Sequence, residues 1–368
     1  MHQRVQRSVL TVNRAIAYII CLTVTALLSV SQAEAKGTKT LFPVIQGGKF
    51  GFINRAGELV IPFQFDQAND FYEGLAVVKV GKKWGYVSAS GKIAIPLTFD
   101  SAGPFSDGLA PVRIGDGRKQ IGDYSLPFTG AWGFIDKTGK LVIQPQYVYC
   151  YGYSEGLAAV RVSDKYGYID KSGKLVIDFQ FSSAGSFSEG LAAVHINGKW
   201  GFIDRSGKVV IDPRFDGVRE FSEGLSCVTV GEKYGFIDRT GKMVAPAKYD
   251  WAWSFNEGLA EVQVGSKSGF IDASGRMVIE PQFDSAGFFS EGLAYACNGK
   301  CGFIDKSGKW ILEPQYGGIN NFEGGLAWVD VGKGSDLYWV YIDKSGNTVW
   351  RGYDPGDQPN NGMQRTRK

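Results

Sequence analysis

Histidine is almost missing from this chain. Of 368 residues only His2 and His195 carry an imidazole. The commonest general base and metal ligand is therefore absent, and neither a catalytic triad nor a histidine-based zinc site has its usual parts. An excess of one charge is missing too. The first 35 residues hold three arginines and one glutamate, and beyond them 37 basic residues face 36 acidic ones. A nucleic-acid binder shows a basic excess or stripe, so that class is excluded. Past Val30 no apolar run is long enough for a membrane-spanning helix. Such a helix needs about 20 residues.

The N-terminus is different. Arg4, Arg7 and Arg14 precede an apolar run over residues 15–30, followed by Ala33-Glu34-Ala35. A basic segment, a short apolar core and a small-x-small site are the parts of a secretory signal, so residues 1–35 are expected to be cut away after Ala35. An uncleaved anchor is the rival reading, and a run of about 16 residues is short for it. Export places the chain in the periplasm, on the cell surface or outside the cell. Residues 36–350 form the body of the protein. Residues 351–368, rich in Gly, Asn, Asp and Gln, are expected to be a disordered tail.

The body is one sentence written about nine times. From Trp200 it reads W-G-F-I-D-R-S-G-K-V-V-I-D-P-R-F-D, then four variable residues, then F-S-E-G-L. Its G-F-I-D step begins at Gly51, Gly85, Gly133, Gly167, Gly201, Gly235, Gly269 and Gly302, with a degenerate ninth copy at Val340. The period is 34 residues except for steps of 48 between Gly85 and Gly133, 33 between Gly269 and Gly302 and 38 from Gly302 to Val340. A fixed period of this size means a repeat architecture. Each unit carries three strand signals, joined by Asp-x-Ser/Thr-Gly turns and Gly-Lys hairpins. The remaining link, 181–190 in one unit, reads as a compact loop or single helical turn. Both faces of the strands are apolar, so units must stack on one another. The expectation is an all-β tandem array of about nine three-stranded repeats, wound as an open solenoid or superhelix. A closed β-propeller of eight or nine blades is the alternative. The open form is favoured because no blade obviously takes strands from both chain ends.

The aromatic-Gly step (Lys83-Trp84-Gly85, Ala131-Trp132-Gly133, Lys199-Trp200-Gly201) and the Phe-x-Glu-Gly-Leu-Ala step (Phe71 to Ala76, Phe187 to Ala192, Phe289 to Ala294) resemble WG repeats, also called KWG repeats, of bacterial proteins. The resemblance spans residues 41–350. It implies a non-catalytic scaffold, often exported or envelope-associated, and supplies no catalytic residues. Tyr166, Tyr234, Ser268 and Cys301 stand where Trp is usual, and Val340 replaces the glycine.

No catalytic, cofactor or metal residues are assigned. Gly152-Tyr153-Ser154-Glu155-Gly156 matches a nucleophile elbow, but its serine recurs in other units as part of the repeat and lacks a strand-to-helix setting. The recurrent aspartates Asp136, Asp170, Asp204, Asp238, Asp272, Asp305 and Asp343 read as turn caps. Candidate binding residues lie where the repeat is broken. A 14-residue extension of one hairpin, within residues 115–131, carries Arg118, Lys119, Tyr124, Leu126 and Phe128. A shorter one lies at 332–338. Insertions in repeats map to loops, often on a binding face. Tyr149, Tyr151, Trp251 and Trp253 fall in links and suit stacking on a glycan or packing on a peptide. Cys297 and Cys301 bracket an Asn-Gly turn and are placed for a hairpin disulfide. The function expected is an exported, non-catalytic scaffold that binds an envelope or extracellular protein, or an envelope polymer, without a cofactor. The alternatives are a carbohydrate- or peptidoglycan-binding module and, last, a hydrolase.

Overall fold

The computed structural model describes residues 40–115, 130–332 and 338–352, with the backbone of two short strands, Gln120–Ile121 and Tyr124–Ser125. The signal segment and the tail, as read from the sequence, lie outside the described residues apart from Arg351 and Gly352. Everything described belongs to the unit spanning residues 38–368. It holds nine small antiparallel sheets and one two-stranded hairpin, with no helix among the described residues. The sheets are the blades of a β-propeller, at residues 41–65, 67–99, 101–147, 149–181, 183–215, 217–249, 251–283, 285–316 and 319–351.

The fifth blade shows the plan. Its strands are Ser183–Ser188, Leu191–Ile196, Lys199–Asp204 and Val209–Phe215, hydrogen-bonded in that order. The second and third are buried at most positions, while the fourth alternates exposed and buried and forms the rim. Three strands per blade was an underestimate. Blades two to eight have four, because the link supplies a first strand. In most blades that strand is only two residues long, such as Ser101–Ala102 or Trp251–Ala252. It pairs through main-chain groups, Gly103 N–H to Pro111 O at 2.8 Å for example, so it needs no β-branched or apolar signature.

The WG glycine is explained within its own blade. Between Trp200 and Phe202 the pairing jumps from Phe215 to Ile211, so the fourth strand bulges opposite Gly201. A Cβ there would sit 2.5 Å from the Ile211 carbonyl oxygen. Only glycine fits against that backbone. In the ninth blade Val340 pairs directly with Arg351, without a jump at that point.

The open array is corrected to a closed ring. Between successive blades the turn glycine before the fourth strand rests on the fourth strand of the preceding blade, as Gly207 does on Ile177 and Gly241 on Ile211. Gly57 of the first blade rests in the same way on Val349 of the ninth. Phe42 packs against Tyr341 at 5.6 Å between ring centroids, and the Tyr341 hydroxyl donates to Pro43 O at 3.2 Å. Leu326 and Tyr341 share one buried cluster with Phe42, Val44 and Ile53. The physical reason is that both faces of every blade are apolar. An open array would leave the first and last blades with bare faces, and closure buries one against the other.

Candidate interaction face

Each blade has two ends, and they are built differently. At one end lie the turn into the second strand (Phe-Ser-Glu-Gly-Leu) and the Asp-x-Ser/Thr-Gly turn. Here each glutamate reaches the next blade: Glu155 accepts from Gly190 N–H at 2.9 Å, Glu189 from Gly224 N–H at 3.0 Å, Glu223 from Gly258 N–H at 2.8 Å. Cations of the next blade join them, Lys137 on Glu73 at 2.8 Å and Lys344 on Glu291 at 3.1 Å. The serines form a second, buried ring. Ser154 Oγ donates to Phe187 O at 2.6 Å, Ser188 to Phe221 O at 2.7 Å and Ser222 to Phe255 O at 2.6 Å. The elbow-like Ser154 is therefore an inter-blade clasp. The aspartates cap their turns: Asp204 Oδ1 accepts from Ser206 N–H at 2.9 Å, Ser206 Oγ at 2.6 Å and Lys208 N–H at 3.1 Å. The Ser206 hydroxyl does most to hold that exposed carboxyl below its usual range.

The other end carries the hairpins between second and third strands. An aspartate unnoticed in the sequence organises it. Asp100 opens the link of the third blade. It accepts from Gly115 N–H of its own hairpin at 2.8 Å and from Lys83 of the preceding blade at 2.6 Å. Asp66, Asp216, Asp250 and Asp284 repeat the arrangement, with Lys49, Lys199, Lys233 and Lys267 as cations and the hairpin glycines Gly81, Gly231, Gly265 and Gly299 as donors. The signal was available, since an Asp follows the last aromatic of most fourth strands. The lysine hydrogen bond is the main cause that lowers each of these carboxyls. Around this end the last residue of the second strand is aliphatic and open to solvent, as at Val80, Ile114, Val230 and Val264.

Both extensions open at this end. The first interrupts the hairpin after Leu109–Ile114 and before Ala131–Asp136; the second lies between Leu326–Val331 and Tyr338–Asp343. Of the candidate residues, Arg118, Lys119, Leu126 and Phe128 lie outside the described residues. Tyr124 belongs to the short strand Tyr124–Ser125, of which only the backbone is described.

The link aromatics form two clusters at equivalent positions of the fourth and seventh blades. Tyr149 and Tyr151 meet edge to face at 5.1 Å, with Arg161 over Tyr149 at 6.0 Å and over Tyr166 at 5.7 Å. Trp251 and Trp253 meet at 5.8 Å, and Arg219 from the sixth blade lies 4.3 Å from the Trp253 ring centre. All four rings are half-buried and engaged with one another or with arginine. Burial without a large neighbour marks the seventh blade. Where every other blade but the eighth has an aromatic residue there is Ser268, and beside it Glu261 is only 3% exposed. Burial pushes the Glu261 carboxyl up to about 7, against smaller opposing effects of Ser268 and Arg219. Glu220, next to Arg219, is pushed up to about 8 by burial.

The Sγ atoms of Cys297 and Cys301 are bonded at 2.09 Å across directly paired strand positions. That cross-strand site holds Lys79 over Trp84, Arg113 over Trp132 and His195 against Trp200 in other blades. Cys150 and Cys227 are buried thiols, both raised by burial. His195 accepts or donates a 2.8 Å bond with Ser182 Oγ, and its ring packs on Trp200. No group of three or more metal-binding side chains occurs among the described residues.

The model of the WG-containing repeat matches residues 50–84, 84–117, 132–166, 166–200, 200–234, 234–267, 269–300 and 302–333. The chain belongs to the WG-containing repeat family. No curated protein matches it. Among solved structures it is similar in fold to a eukaryotic initiation factor, with a TM-score of 0.60 and 13% identity, covering 85% of this chain and 96% of that one. A weaker likeness is to Hsv2p of Kluyveromyces lactis, with a TM-score of 0.39 and 9% identity over 76% of this chain and 97% of that one. The WG-repeat ring is consistent with a binding scaffold whose recurrent polar groups hold blades together.

Proposed function

We propose that this WG-repeat propeller is an exported, non-catalytic scaffold that captures an envelope or extracellular protein at its hairpin end. One observation carries the reading: both insertions into the 34-residue period, near 115–130 and 332–338, open at the same end of the ring. At the opposite end the glutamates and serines are engaged in inter-blade bonds and the aspartates in turn caps. The hairpin end adds exposed aliphatic side chains, which suit a protein surface better than a glycan. The stacking-platform alternative draws less support, because Tyr149, Tyr151, Trp251 and Trp253 pack on each other and on Arg161 and Arg219.

The test is affinity capture from envelope extracts with residues 36–368, beside a version lacking residues 116–130. Proteins and glycans in the eluates are analysed separately. A protein retained only by the intact version supports the reading and locates its contact. Equal retention of peptidoglycan fragments by both versions overturns it in favour of a glycan-binding surface. Hydrolysis products appearing over time would overturn the non-catalytic part.

A further inference from the structure

At the hairpin end of the ring one carboxylate is missing from a place built to hold it. Five links begin with an aspartate whose carboxylate bridges a lysine 17 residues before it and a hairpin N–H 15 residues after it. The fifth blade keeps both donors and loses the acceptor. Ser182 stands in the aspartate's place, with Lys165 and Asn197 at the same two spacings. The backbone there is unchanged. Ser182 gives its N–H to His195 O at 3.2 Å, as Asp216 does to Thr229 O at 2.9 Å. Val162 pairs with Lys165 as Ile196 does with Lys199 and Val230 with Lys233. Asn197 has φ +50 beside +62 at Gly231, so its N–H takes the direction of the glycine's. The Ser182 hydroxyl turns to His195, 2.8 Å from its Nδ1 and 3.1 Å from its carbonyl oxygen. Among the described residues neither the Lys165 ammonium nor the Asn197 N–H has a partner.

We propose that Lys165 and the Asn197 N–H form a carboxylate-binding site, filled by an aspartate or glutamate side chain of the protein captured at this end. That the acid belongs to a protein rests on the function proposed above; the chemistry of the site does not. Two other links lack the aspartate, and neither keeps the site. In the fourth blade Val148 replaces it, and Ala131 replaces the lysine. In the ninth Gly317 replaces it, but the chain's own Asp330 lies close by, its Oδ2 2.5 Å from where a Cβ on Gly318 would stand. Ser182, Lys165 and Asn197 are all exposed, so a carboxylate reaches them from solvent. Asn197 also lines a cavity of about 330 Å³ with Ile196, Lys199, Val209, Asp212 and Pro213. Residues flanking the acid find apolar contact there on Val209 and Pro213. Lys199 is held by Asp216, and Asp212 disfavours a second acid beside the first. An exposed ion pair is weak by itself. The site therefore orients a segment that the exposed aliphatic side chains of this end also hold.

Amide chemical shifts of residues 36–368, followed while aspartate capped at both ends is added, test this. The Asn197 amide is expected to move saturably. The amides of Ser163, in the fourth blade, and Gly231, already bonded to Asp216, should stay still. Lys165→Met should weaken the binding at least about threefold. Ser182→Asp should abolish it by filling the site from within, moving the Asn197 amide before any ligand is added. Unchanged shifts at Gly201 in both variants show that the blade is still folded. No movement at Asn197, or equal movement with capped asparagine or with inorganic phosphate, overturns the proposal. The capture experiment tells the two readings apart. A protein lost from Ser182→Asp as well as from the version lacking residues 116–130 supports both. One retained by Ser182→Asp but lost from that version overturns the acidic contact alone.

Discussion

At the scale of single residues, two kinds of position carry the ring: glycines pressed against backbone and polar side chains that cross between blades. Gly201→Ala places a methyl 2.5 Å from a carbonyl oxygen that belongs to a bulged strand and has little room to move. The expected cost is about 2 kcal/mol or more, read as a fall in urea midpoint. Gly198→Ala, with nothing within 4 Å, should cost only the price of its positive φ, about 1 kcal/mol. Ser222→Ala leaves the buried Phe255 carbonyl without its donor and should lose about 1–2 kcal/mol. Equal midpoints for Ser222→Ala and the parent would remove the serine ring from the account of stability.

Glu261 gives a residue-scale prediction with a sign. Its carboxyl is raised by burial from 4.5 to about 7, so the folded state favours the neutral form. Stability is then complete below about 4.5 and falls as pH rises through about 7, because the unfolded chain has already released the proton. Glu261→Gln should remove this part of the slope, on the order of 1–3 kcal/mol between pH 5 and 8. Glu220 is raised to about 8 and keeps a slope of the same sign in the variant. Urea midpoints at the two pH values decide it; an unchanged slope would mean the carboxyl finds solvent or a cation in solution.

At the scale of elements, the hairpin bearing Cys297 and Cys301 shows one cross-strand site filled by different chemistry. Blades two, three and four set a cation against an aromatic ring there, worth about 0.5–1 kcal/mol at an exposed site. A disulfide closing so short a loop is worth about 2 kcal/mol. Cys297→Ser with Cys301→Ser should therefore lower stability modestly, and Cys297→Lys with Cys301→Trp, copied from Lys79 and Trp84, should recover at least part of it. Thermal denaturation of the three proteins makes the comparison. The elements themselves were legible to different degrees. The second and third strands announced themselves through Leu-Ala and aromatic-Gly-Phe-Ile steps, because their side chains are buried on both faces. The first strand was missed because in most blades two residues of no fixed type, Ser101–Ala102 or Tyr149–Cys150, suffice to pair it. The Asp100-type bridge was missed for a related reason: its lysine comes from the preceding blade, and no local pattern displays that pairing.

At the scale of the whole molecule, the seam between the ninth and first blades separates ring from open array. Gly57 has φ +81, and a Cβ there would lie 2.2 Å from Val349 O. Gly57→Ala should destabilise the protein more than Gly74→Ala, which has a similar φ but nothing within 4 Å. In an open array the two substitutions would cost alike, so equal losses of stability would argue that the seam does not close in solution.

The period, the all-β class and the identity of the repeat were determined by the sequence alone. Apolar alternation, turn glycines and the recurring aspartates act within one unit and recur from unit to unit. The extended hairpins were visible too, as breaks in that period. Only the tertiary structure decided that the array closes, that the link becomes a strand, and that both extensions share one end. Each of these depends on groups in different blades: Gly57 on Val349, Tyr341 on Pro43, Lys83 on Asp100. Closure follows from the summed rotation of nine blades. A small angle per unit separates a ring from a superhelix, and no short pattern of residues encodes that sum.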